Sequence, residues 1–301
     1  MQQYYIERAG KDMATDRLGP ELSCDNLSGL EVCFAAGYCR ANPGAPEEDR
    51  SMAWYEQNVL KPLVEKNIIV TSGRFGDERK IRYDRASIEG GRVTFYMGHS
   101  HYHEMIESDN RSDAETKRLV SMGNAFYNDH MAFFPRVTGP TGIVISSDNK
   151  LIIGKRKGFG DLEDYDGLLQ GVGSFFPFCE NVAQIDPIES LKLSLESKAG
   201  IKGTDICSTE FFGLYSNPEL AGDDLDFAYL VKTKLASNYF TGDGWKAVTD
   251  NDKVTHEEWY AVDGFGELQQ FLSTGLLKGK KVETVFSTFG PLHALKEPDF
   301  S

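Results

Sequence analysis

The sequence contains no stretch of about 20 consecutive apolar residues, so no segment is suited to span a bilayer as a helix. The opening residues, Met1 to Arg8, lack a basic region followed by an apolar run and a small-residue cleavage site, which predicts a cytoplasmic protein with no membrane partner. Positive charge is also short: 32 Lys and Arg stand against 46 Asp and Glu, for a net charge of -14, and no basic run exceeds Lys155-Arg156-Lys157. Such a chain repels nucleic-acid backbones, so DNA or RNA is not an expected partner. Small anions remain accessible, because a few cations gathered in a cleft dominate the local field whatever the total charge. The five cysteines, Cys24, Cys33, Cys39, Cys179 and Cys207, are odd in number and show no C-x-x-C spacing, which suits reduced thiols better than disulfides or zinc.

What is present is the composition of a folded protein, with 40% hydrophobic and 26% charged residues. The length of 301 residues accommodates two domains, and a change of texture after Phe133-Phe134-Pro135 divides the chain into an N-terminal α/β module, 1–135, and a second domain, 136–301. Residues 1–50 read as irregular. Helical spacing follows from Met52 to Lys66, and a short strand covers Asn67 to Thr71. Residues 81–88 and 92–98 flank Glu89-Gly90-Gly91 as a hairpin, with Val93, Phe95 and Met97 alternating against Thr94 and Tyr96. Ser112 to Glu115 is a capping box that opens a helix running to about Gly123.

In the second half, Gly142 to Lys150 and Leu151 to Arg156 read as strands joined by an Asp-Asn turn. An acidic loop, Gly158 to Gly167, leads into Leu168 to Ser174. Asp186 as cap, Pro187 in the first turn, Glu189 three residues on and Gly200 at the end delimit a helix. Strands are predicted at 211–215, 226–234 and 257–262, and helices at 265–276 and 282–295.

This order of strand, Asp turn, strand ending in Lys-Arg, Gly-x-Gly loop and capped helix closing on Ala199-Gly200-Ile201 resembles the Nudix superfamily. Its box runs G-x5-E-x7-R-E-U-x-E-E-x-G-U, where U is bulky and aliphatic, and it holds divalent cations against a pyrophosphate. The resemblance implies an α/β (α+β) fold in which a mixed sheet lies between helices as a sandwich. Matching the final G-U to Gly200-Ile201 puts the box carboxylates on Ser194, Ser197 and Lys198, with an insertion between Gly173 and Asp186. The scaffold is kept and the carboxylates are not. Magnesium seeks carboxylate oxygens, which neutralise it while it orients the attacking water. Two hydroxyls and an ammonium should hold a dication poorly, since serine is a weak ligand and Lys198 competes electrostatically with the cation. A looser similarity links the chain to the eukaryotic UDP-glucose pyrophosphatase branch, through Val93 to Gly98, Gly98 to Tyr102 and Asp113 to Gly123. It implies a nucleotide-sugar ligand.

The expected function is therefore recognition of a nucleoside-diphosphate-linked small molecule, with magnesium-dependent pyrophosphohydrolysis weak or absent. Candidate ligand-binding residues are Lys155, Arg156, Gly173, Phe175, Ser194 and Lys198. Two alternatives accompany it. An active hydrolase would rebuild the Mg2+ or Mn2+ site from Glu180, Glu189, Glu196 or a nearby loop acid, with Glu189, Glu196 and Glu257 as candidate catalytic groups. A non-catalytic interaction scaffold would need none of them. No cofactor is otherwise expected. A solvated Glu189/Glu196 face, with Ile188, Leu191 and Leu195 packed inward, is the simpler reading of the helix.

Further candidates have plain structural readings. His99, His101 and His103 would share one face of a strand and could hold a metal there, but an exposed turn is favoured. Lys155 to Lys157 fit a phosphate contact and a solvated strand end equally well. Gly158-Phe159-Gly160 and Gly171-Val172-Gly173 lack the third glycine of a dinucleotide fingerprint. Asp161, Glu163, Asp164 and Asp166, like Asp223 and Asp224, read as solvated loop acids. His256 or Glu257 stands where a late loop could supply a base. Phe175, Phe176 and Phe178 are the aromatic residues available to a nucleobase, with burial as the alternative.

Overall fold

The computed structural model describes residues 31–37, 61, 65, 79–102, 104–105, 112–128, 130–157, 166–216, 225–247, 249 and 256–301. The predicted helix at 52–66 (apart from helical Lys61 and Glu65), the strand at 67–71, His103, residues 158–165 and Asp223-Asp224 lie outside them.

β1 (Glu31–Ala36), β2 (Arg79–Glu89) and β3 (Arg92–His101) form a sheet in the order β1-β3-β2. The hairpin turns on Gly90 and Gly91, both at positive φ, where a β-carbon would be strained. Val93, Phe95 and Met97 are buried on one face, as their period of two requires. Two expectations fail here. Glu31–Ala36 is a strand and not irregular chain, because its parallel partner begins at Arg92 and no local turn marks the pairing. His99 and His101 continue β3 and are not in an exposed turn: His101 is buried, and His99 Nε2 lies 3.0 Å from the Cys179 carbonyl oxygen. The strand persists because β2 pairs with it as far as Arg79–His101.

α1 (Asp113–Tyr127) starts where the capping box predicts and runs four residues beyond Gly123, which is buried inside it. Residues 131–134 then lie against β2 and pack with Leu119 of α1. Arg82, 1% exposed, holds them there: its Nε donates to the Phe134 carbonyl and its Nη2 to the Met131 carbonyl, both at 3.0 Å. Arg136 Nη1 donates back to the Asp84 carbonyl at 3.0 Å.

Among the described residues the second sheet has seven strands. β4 (Thr138–Ile145), β5 (Leu151–Arg156), β8 (Ile206–Ser216), β9 (Leu225–Thr233) and β10 (His256–Val262) are ordered β10-β5-β4-β9-β8, while the short β6 (Leu169–Gln170) and β7 (Val172–Gly173) pair with β5 and β4. β4 and β9 are parallel and the remaining pairs antiparallel, so the sheet is mixed. Alternation along the strands separates two cores. Val144, Ile152, Phe227, Tyr229 and Trp259 face α2 (Pro187–Ala199) and the inner side of the first sheet, where Phe95 and Phe227 stack edge to face at 4.8 Å. Ile143, Ile145, Leu151, Ile153 and Leu230 face α4 (Gly264–Thr274) and α5 (Phe286–Ala294); a single-turn α3 (Ser237–Thr241) follows β9. The result is the expected α/β class, a mixed sheet with helices on both faces. Among the described residues no helix is long and apolar enough to cross a membrane.

α2 begins and ends where its signals place it. The Asp186 side chain accepts from Glu189 N at 2.9 Å, and Gly200 takes the left-handed conformation at φ 68°. A small hairpin, β11 (Leu276–Leu277) with β12 (Lys280–Lys281), precedes α5, which starts at Phe286 and not at the predicted 282 because residues 283–285 run extended beside β6: Leu169 N donates to the Glu283 carbonyl at 2.7 Å and Val285 N to the Leu169 carbonyl at 2.9 Å.

Candidate functional site

One stripe of α2 is polar although it faces the protein. Ser190 and Ser194 are buried on it, four residues apart and therefore one above the other. The Ser190 hydroxyl donates to the Asp186 carbonyl at 2.8 Å, Ser194 to Ser190 at 3.1 Å and Ser197 to Leu193 at 2.7 Å. Each hydroxyl proton is thus used on the helix's own backbone. Ser194 Oγ also meets Ser174 Oγ at 2.5 Å, and Lys198, one turn further on, donates from its ammonium to the Gly173 carbonyl. Helix and β7 strand are pinned together at two successive levels.

β5 and β10 complete the same face. Arg156, 8% exposed, extends from the end of β5 and donates from Nη1 to Gln170 Oε1 at 2.9 Å. His256, fully enclosed, packs on Trp259 with ring centroids 4.5 Å apart and sits over Gly154, where a β-carbon would come within 2.3 Å of His256 Cδ2. Burial above all, then the charges of Lys198 and Arg156, hold the His256 pKa down to about 3; backbone hydrogen bonding to Gln170 and Gly171 works the other way. Lys198 and Arg156, from different elements, therefore act on one buried imidazole.

This depression has a consequence for stability. Burial likewise lowers His293, to about 4. Both histidines are neutral in the folded protein, while the unfolded chain takes up protons near its ordinary value of about 6.5. Their contribution is complete above that pH and is lost as pH falls toward the folded values. The loss is up to about 1.4 kcal/mol per pH unit for each group. Urea unfolding between pH 7 and 5 should show stability falling with pH, and His256→Gln should flatten the slope; an unchanged slope would contradict the assignment.

The structure divides the residues selected from sequence. Arg156, Gly173, Ser194 and Lys198 come together on the α2 face of the sheet. Phe175 is half-buried two residues beyond Gly173. Lys155 and Glu257 belong elsewhere. Lys155 follows the parity of Ile153, whose core is that of α4 and α5, and its ammonium pairs with the Glu257 carboxylate, which raises the lysine pKa. Alternation along β5 sends neighbours to opposite faces, so Lys155 and Arg156 cannot serve one cleft. Glu189 and Glu196 are exposed on α2, and Glu189 pairs with Lys192 at 3.5 Å, the solvated face expected of them. Glu180 pairs with Arg79 at 3.0 Å.

The donor set at the positions matched to the box does not fit magnesium. A hard dication needs several anionic or strongly basic oxygens. Here it would meet hydroxyls turned to carbonyls and the positive charge of Lys198. Among the described residues no three His, Cys, Asp or Glu side chains are grouped so as to hold a metal. Gln170 and Ser174, which contact the site directly, went unselected in the sequence; their only signal is adjacency to the Gly-x-Gly loop.

No protein-family model matches the chain, and no curated protein does. Several solved structures are similar to it. One is the Nudix domain of Shewanella oneidensis NrtR complexed with ADP-ribose, with 12% identity, 61% of this chain and 96% of that chain covered, and a TM-score of 0.36. Another is a Nudix-family hydrolase from Clostridium perfringens, with 8% identity, coverage of 53% and 96%, and a TM-score of 0.31. A third is the MutT protein of Methanosarcina mazei Go1, with 13% identity, coverage of 53% and 94%, and a TM-score of 0.32.

Proposed function

We propose that the protein recognises a nucleoside-diphosphate-linked small molecule of the nucleotide-sugar type, in the cytoplasm, and hydrolyses it with magnesium weakly or not at all. Residues 136–301 carry the diphosphate site, and residues 1–135 form the accompanying module. The observation that carries this reading is the convergence of Lys198 and Arg156 beside His256, on the helix whose matching positions offer hydroxyls and an ammonium. An ammonium and a guanidinium together suit a diphosphate, since the first supplies a compact charge and the second a planar fork of donors. Low dielectric around the buried Arg156 strengthens its attraction for an anion.

The test has two arms, run on the full chain. Calorimetric titration with ADP-ribose and UDP-glucose should show binding of at least one of them, weakened about 10-fold by Lys198→Met, the cost expected for one charge-assisted hydrogen bond. Incubation of the same compounds with magnesium should release phosphate-containing product slowly or not at all. Vigorous turnover abolished by chelator, or no binding across a panel of diphosphate-linked compounds, would refute the proposal.

A further inference from the structure

We infer that Gln170 is a ligand-binding residue, whose carboxamide N–H groups donate to an unprotonated oxygen of the diphosphate; the inference rests on the diphosphate reading above. Its backbone is fixed on both sides. On β6 it pairs in register with Gly154 of β5, while Leu169 N donates to the Glu283 carbonyl at 2.7 Å and Gly171 N to the Thr288 hydroxyl at 2.8 Å. Leu169 lies in the core of α4 and α5, so alternation turns Gln170 to the opposite face of the sheet, that of α2. There the His256 ring occupies the space that Gly154, without a side chain, leaves over β5.

Arg156 decides which way round the carboxamide sits. A guanidinium has only donors, so its contact through Nη1 at 2.9 Å is to the amide oxygen, Oε1. The two N–H donors of the same carboxamide are thereby directed away from the guanidinium. Among the described residues they meet no acceptor, and Gln170 is half-buried, not enclosed. A backbone tied to two neighbouring segments and an amide held by its oxygen offer these donors in a fixed direction, which lowers the entropy cost of using them on a ligand. Their neutrality matters as well. A carboxylate would hold Arg156 at least as firmly, as Glu257 holds the neighbouring Lys155, but it would turn lone pairs and negative charge toward the ligand. An amide adds donors and cancels no cation.

The experiment follows the full chain as it is titrated with pyrophosphate and with ADP-ribose. In nitrogen-15 spectra, the pair of side-chain amide signals that is absent from Gln170→Met identifies Gln170, and either ligand should shift that pair. Calorimetry should show Gln170→Met binding about 5-fold more weakly, the cost of one ordinary hydrogen bond. Gln170→Glu, which keeps the shape and the contact to Arg156, should unfold at the wild-type urea concentration and bind about 10-fold more weakly or worse. Wild-type affinity in Gln170→Glu, or amide signals that stay in place while the wild type binds, would overturn this inference and leave the diphosphate site standing. Should Gln170→Glu not fold, wild-type affinity in Gln170→Met overturns it equally. A wild-type protein that binds neither compound overturns the diphosphate site and the role of Gln170 with it.

Discussion

Arg82→Ala should lower the unfolding free energy by about 3–5 kcal/mol, the range for removing one member of a buried, hydrogen-bonded charged network. The side chain is 1% exposed, and its loss would strand the carbonyls of Met131 and Phe134 together with the nearby Asp84 carboxylate, 3.7 Å from Nη1. Each buried acceptor without a donor carries its own desolvation penalty. Lysine should not restore the loss, because one ammonium cannot reproduce a fork that reaches two carbonyls in fixed directions. Arg85→Ala is the control: that side chain is 58% exposed over Tyr96, and its removal should cost no more than about 1 kcal/mol. Denaturant unfolding of the three variants decides the matter, and an Arg82→Ala change within the range of Arg85→Ala would show that residues 131–134 are held by something else.

Gly139→Ala should have nearly as large an effect, and it should reach the site. A β-carbon there would lie 1.9 Å from the Ser174 carbonyl oxygen and 2.6 Å from Phe175 Cα, so backbone, not a flexible side-chain tip, would have to move. Two hydrogen bonds flank the contact, Ser174 N to Pro140 O at 3.2 Å and Phe176 N to Thr138 O at 3.0 Å. Overpacking of about 1–3 kcal/mol and the weakening of both bonds point to a total of about 3 kcal/mol. The displaced segment also carries the Ser174 hydroxyl that faces Ser194, so affinity for a diphosphate ligand should fall with stability. Gly203→Ala meets nothing within 4 Å and should be neutral in both measurements. A stable Gly139→Ala protein with unaltered binding would separate this segment from the site.

Local signals carried the parts of the fold that local chemistry decides. The limits of α2 follow from Asp186, Pro187 and Gly200, and the hairpin from Gly90-Gly91, because caps and positive-φ turns are read within a few residues. β1 escaped detection because its partner lies far along the chain and its own six residues carry no turn. The histidines of β3 were assigned to a turn for a related reason: strand pairing out to Arg79 decides the matter, and it is a tertiary fact. Lys155 and Arg156 are separable in principle, since strand parity sends them to opposite faces, and a single phosphate contact made by both overlooks that period. Ser194 and Lys198 were identified through the family resemblance, but their partners Ser174 and Gly173 depend on how the insertion folds back on α2. Gln170 stands beside Arg156 only through the pairing of β6 with β5, which its adjacency to the Gly-x-Gly loop does not specify.

On the proposed reading, the inner stripe of α2 meets an anion directly and not through a bound dication. Titrating the full chain with ADP-ribose, once in excess chelator and once in saturating manganese, tests it most directly. Equal dissociation constants in the two titrations are predicted. Binding that appears only when manganese is present would contradict it.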